Sequence, residues 1–135
     1  MKEVYCSFEV AKLLKELRFP QNADYCHYKI DRNGGYHKSF DYRCGFGEYD
    51  IIAPTHQRAC AWLRKKYNIV IEIAPNVHSV EGHIVNYVFG IWYGDNFEGS
   101  IENYEDDEDS EYDGYEKAME AALKHVLYEL KEKET

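Results

Sequence analysis

No run in this sequence approaches the roughly 20 consecutive apolar residues that a bilayer-crossing helix needs, so a helical membrane span is not expected. The opening residues, MKEVYCSFEVAKLL, carry polar and charged groups throughout. They lack the apolar stretch of about 7–15 residues and the small-residue cleavage site of a secretory leader. Four cysteines, Cys6, Cys26, Cys44 and Cys60, are spread widely without a C-x-x-C. With no export signal they are expected to be reduced and mostly buried. The expected location is therefore cytoplasmic. Also missing are a P-loop, a Rossmann turn, a G-x-S-x-G elbow and an H-E-x-x-H pair. Neither an internal repeat nor a Pro/Gly/Ser-rich linker divides the chain. These absences argue against an enzyme, point to no cofactor, and favour one domain over residues 1–135.

What is present is enough for a core. Of 135 residues, 44% are hydrophobic and 16% aromatic, which excludes a disordered chain. Thirteen tyrosines suit half-buried strand faces and interfaces, because the ring is apolar and its tip polar. The net charge of −9 is one-sided: residues 98–135 hold 14 Asp/Glu and 4 Lys/Arg, whereas residues 1–97 hold 11 and 12. Nucleic acid requires net cationic contact, so direct binding to it is not expected.

Periodicity places a helix after Ser7, with Val10, Leu13, Leu14 and Leu17 on one face and Pro20 as its stop. Tyr25–Ile30 and Tyr36–Tyr42 alternate as strands around a hairpin signal, Arg32-Asn33-Gly34-Gly35. Tyr49–Ile52 offers a further short extended piece. Thr55 caps a second helix with Ala59, Trp62, Leu63 and Tyr67 inside and Arg58, Arg64, Lys65 and Lys66 outside, ending at Asn68. IVIEIA is a strand closed by Pro75. HIVNYVFGIWY and FEGSIENY are two more strands. A last helix starts from Asp113 and Glu116, a capping pattern, and residues 131–135 are expected to fray. The fold class predicted is α+β, in the order α-β-β-α-β-β-β-α, an antiparallel sheet with helices mainly on one face. Residues 98–113 form its acidic strand and loop segment. The order over residues 55–131 resembles that of a double-stranded-RNA-binding domain. Where such a domain carries cations, at the start of its last helix, this chain carries acids.

Three sets of residues could carry chemistry. His56 and Cys60 are four apart on the second helix, so their side chains can meet. They could begin a zinc site or a Cys–His nucleophile, but no further ligand pair or orienting group has matching spacing. Asp109, Glu111, Asp113 and Glu120, with Gly114, follow a calcium-loop spacing except for Glu at the third ligand position. The flanking acidic loop and the capping role of Asp113 favour a solvated helix start instead, so no metal is assigned. Trp62, Trp92 and Tyr93 are the anchor-type aromatics. Asp106, Asp107, Glu108 and Asp109 are the densest acids. These two groups are the binding candidates.

The stretches FEVAKLLKELRFP, APTHQRACAWLRKKYNIVIEIAP and YEKAMEAALKHVL resemble a group of short prophage- and mobile-element-encoded proteins of Bacteroides-type bacteria. The A-P-T-x-Q-x-x-x-x-W-L-R core carries most of that resemblance. The group has no assigned activity, so the resemblance implies context alone: a phage-related accessory protein of the bacterial cytosol. The function expected is a non-enzymatic protein-binding module, its partner another protein or a second copy in a homodimer. The alternatives are an acidic nucleic-acid mimic that inhibits a host DNA-binding protein, and a small metal- or Cys-dependent enzyme.

Overall fold

Ser7 begins the first helix by accepting a hydrogen bond from the Val10 amide at 3.3 Å. The computed structural model describes residues 4–21, 27–30, 35–39, 50–77, 84–94, 100–103 and 114–134. Helix α1 spans Phe8–Glu16 and buries Val10, Ala11, Leu13 and Leu14. Its stop is not made by Pro20. Leu17 caps it and Arg18 turns left-handed, with φ 72°. The Phe19 amide then reaches Leu14 O at 2.8 Å and the Arg18 amide reaches Lys15 O at 3.0 Å. This is a Schellman closure, which satisfies the last carbonyls, and it is usually built on glycine. Arg18→Gly should therefore raise the unfolding free energy by about 0.5–1 kcal/mol, read from urea melts. A loss of stability would show that the arginine side chain matters more than its backbone strain.

The fold is α+β, with three helices among antiparallel strands. Strands β1 (His27–Ile30), β2 (Tyr36–Ser39) and β3 (Ile51–Ile52) form a sheet in the order β2-β1-β3. Ile30 pairs with Tyr36, so the strands on either side of the hairpin signal are antiparallel neighbours; residues 32–34 of that signal lie outside the described residues. The outer parts of the expected strands, residues 25–26 and 40–42, lie outside the described residues. β3 falls within the short extended piece expected at Tyr49–Ile52, which the expected order of elements did not count. Helix α2 (His56–Tyr67) starts from Thr55, whose Oγ1 accepts from the Arg58 amide at 3.2 Å. It ends at Asn68, which adopts φ 58°.

Strands β4 (Ile69–Val77), β5 (Ile84–Tyr93) and β6 (Ser100–Asn103) make a second antiparallel sheet in that order. β4 does not close at Pro75. It runs through it, with Pro75 opposite Tyr87, and bulges at Asn76/Val77. The missing N–H of Pro75 is tolerated because β4 lies at the edge of this sheet. Helix α3 spans Tyr115–Glu134, with the Ala118 amide bonded to Gly114 O at 3.1 Å. Asp113, its expected cap, lies outside the described residues, and the helix continues through residues 131–134. Among the described residues, no helix is long and apolar enough to cross a membrane.

The chain divides into two compact units, residues 1–59 with 127–135, and residues 60–126. In the first, Tyr28 is the central polar-tipped ring. It is 5% exposed, and its hydroxyl donates to Cys6 O at 2.8 Å. Ala11, Ile51 and Ala53 pack around it, with Phe8 edge-on at 5.4 Å. Gln21 clamps the short β3: its Oε1 accepts from the Ile52 amide and its Nε2 donates to Phe19 O, both at 2.9 Å. In the second unit, Leu63, Ile69, Val88, Phe89, Ile91, Leu123 and Val126 are buried. The face of β5 bearing Tyr87 and Phe89 meets α3 through Tyr115 and His125, with ring centroids 6.1 and 6.2 Å apart.

Candidate functional site

Strand pairing decides which side chains share a face. Val70 stands opposite Trp92, and Glu72 opposite Gly90. Side chains alternate along a strand, so these four residues lie on one face of the β4–β5–β6 sheet. Tyr87, Phe89, Ile91 and Tyr93 lie on the other, the face that meets α3. Two of the aromatics singled out from the sequence, Trp92 and Tyr93, are thereby sent to opposite sides.

The face bearing Trp92 is exposed only at its Val70–Trp92 end; Val88, further along it, is 3% exposed. Val70 is 39% and Trp92 42% exposed. The indole is not loose, since its Nε1–H donates to Glu72 Oε2 at 3.0 Å. A held, half-exposed tryptophan beside an exposed valine is an anchor-type surface. Trp62, the other candidate, is already engaged. Tyr67 meets it edge-on at 5.5 Å, and Lys66 Nζ stands 5.0 Å from its ring centre. Residues 106–109, 111 and 113 of the acidic candidates lie outside the described residues. Glu120 is half-buried on α3.

Cys60 and His56 have different described neighbours. The Cys60 thiol points at Met119 Sδ, 3.5 Å away. Burial pushes its pKa up, against a smaller opposing pull from Arg64. A thiol held protonated is a poor nucleophile and a poor metal ligand. His56 is 7% exposed, and a ring nitrogen lies within 4.8 Å of the Cys6 sulfur. Cys6 is fully buried. The link between residues 6 and 56 is made by backbone: Cys6 N bonds Pro54 O at 2.8 Å and His56 N bonds Val4 O at 2.9 Å. No spacing rule could have found it.

An open groove of about 400 Å³ runs between α1 and the end of α3, lined by Glu9, Lys12, Leu13, Glu16, Tyr128 and Lys131. Its polar groups pair across the two helices. Tyr128 donates to Glu9 at 2.5 Å, a bond that pushes the phenol pKa up, and Lys131 pairs with Glu16. Exposed pairs of this kind contribute little stability and offer no chemistry.

No family model, curated protein or solved structure matches this chain. Fold and surface together describe a small α+β protein in which Trp92 is exposed at one end of a sheet face.

Proposed function

We propose that the chain is a non-enzymatic protein-binding module, with a phage-related accessory role. It engages its partner through the Trp92 face of the β4–β5–β6 sheet. The observation that carries this reading is the Val70–Trp92 pair, exposed on both strands while the indole is fixed by Glu72. Buried chemistry elsewhere supports it: the Cys60 thiol is kept protonated by its surroundings. A partner protein from the bacterial cytosol fits the reading, and so does a second copy.

A second reading has its own observation. The net charge of residues 98–135 would suit a nucleic-acid mimic directed at a DNA-binding protein. One experiment separates the two. The chain is used to capture partners from bacterial lysate at low and high salt, beside Trp92→Ala and a variant neutralised at Asp106, Asp107, Glu108 and Asp109. Sedimentation of the pure protein reports self-association. The module reading expects Trp92→Ala to weaken capture or dimerisation at least about tenfold, as loss of an interface anchor does. Binding that depends on the four acids and vanishes in salt, with Trp92→Ala silent, would favour the mimic. A monomer that captures nothing sinks both.

A further inference from the structure

Between Lys66 and Lys117 the chain carries thirteen carboxylates and no Lys or Arg. The whole β4–β5–β6 sheet falls within this stretch. At the exposed end of one face, beside Val70, it presents an indole and a carboxylate, and its strands contain no Lys or Arg. Trp92 and Glu72 are joined at 3.0 Å, so the negative group is fixed at the edge of the ring. Such a pair is complementary to a positive side chain. A cation over an indole is attracted by the ring quadrupole, and a carboxylate beside it adds a charge-assisted hydrogen bond.

We propose that this face receives an Arg or Lys side chain of a basic partner protein, its cationic head over Trp92 and hydrogen-bonded to Glu72. The proposal rests on the protein-binding reading and adds the chemistry of the partner. Val70, opposite Trp92 and 39% exposed, offers apolar surface to the aliphatic stem of such a side chain. The chain uses the same chemistry internally, where Lys66 Nζ lies 5.0 Å from the Trp62 ring and 5.4 Å from Tyr67. The net negative charge of the chain draws a basic segment in at long range. Trp92 and Glu72 then fix where one of its side chains docks.

The test uses the full chain with Trp62→Phe, which leaves Trp92 as the sole tryptophan, since the sequence has two. Its emission is titrated with hexa-arginine and hexa-glutamate peptides. Saturable change with hexa-arginine and none with hexa-glutamate is expected. Glu72→Gln should weaken binding by about three- to tenfold, because its amide oxygen still accepts the indole N–H while the charge is gone. Trp92→Ala, followed by calorimetry, should weaken it by about tenfold. Trp92 is exposed, so this variant is expected to keep its fold, checked by circular dichroism. Hexa-arginine binding that Trp92→Ala and Glu72→Gln leave unchanged would overturn the proposal, because the other acids would then be the receptor. Absence of binding would overturn it too. A protein partner lost with Trp92→Ala but not displaced by hexa-arginine would overturn the cation pocket and leave the protein-binding reading standing.

Discussion

Leu123→Ala should lower the unfolding free energy by about 3 kcal/mol, near the middle of the range for a fully buried leucine. Leu123 has no exposed surface, and Met119 and Val126, four residues before and three after it on α3, are buried as well. Truncation there leaves a cavity inside a close-packed stripe. A chain of this size holds on the order of 10 kcal/mol in total, so the variant should melt many degrees lower while still folding in the cold. Urea titration followed by helix signal measures it. Val70→Ala is the matched control: 39% exposed, it should stay within about 0.5 kcal/mol of the parent. A loss below about 1 kcal/mol at Leu123 would mean that the apolar stripe of α3 is not close-packed.

Local physics was readable in advance. Ser7, Thr55 and Asn68 each do what their side chains or backbone tolerance favour, and each acts within four residues of itself. The α3 stripe was equally plain, because Ala118, Met119, Ala122, Leu123 and Val126 repeat with the helical period. Misreadings came where the answer depends on a distant partner. Pro75 ends a strand only if its missing N–H is needed, and position at the sheet edge removes that need. Pro20 looked like the stop of α1, but an arginine at φ 72° had already closed the helix. No propensity argument would put Arg18 there.

The candidate site was half legible. Residue type marked Trp92 as an anchor, but exposure and the hydrogen bond to Glu72 emerge only from strand register. The same register removes Tyr93 to the opposite face. His56 and Cys60 were candidates for a pair because they share a helix, and the sequence could not show which distant residues lie beside them. Cys60 faces Met119, 59 residues away, and His56 lies near Cys6. Burial of the Cys60 thiol raises its pKa, which the sequence alone did not show.

Gly94→Ala should cost about 1–2 kcal/mol, and Asn68→Gly should restore most of it. The Gly94 amide bonds Asn68 O at 2.9 Å, which brings the turn after β5 against the end of α2. A Cβ at position 94 would stand 2.4 Å from Asn68 Nδ2, 2.6 Å from Cγ and 2.8 Å from Oδ1. Because Cγ itself is too close, turning the amide about its last bond cannot relieve the clash. The side chain must swing away, or the turn must open. Asn68 adopts φ 58°, a conformation glycine takes at least as readily, so Asn68→Gly alone should be near neutral. The double variant should then recover, giving a coupling of about 1–2 kcal/mol between the two positions. Equal cost of Gly94→Ala in both backgrounds would show that something other than the Asn68 side chain resists the added carbon. Trp92 lies two residues before Gly94, so strain in the turn reaches the anchor. In the Gly94→Ala variant its emission should shift, and in the double variant it should return.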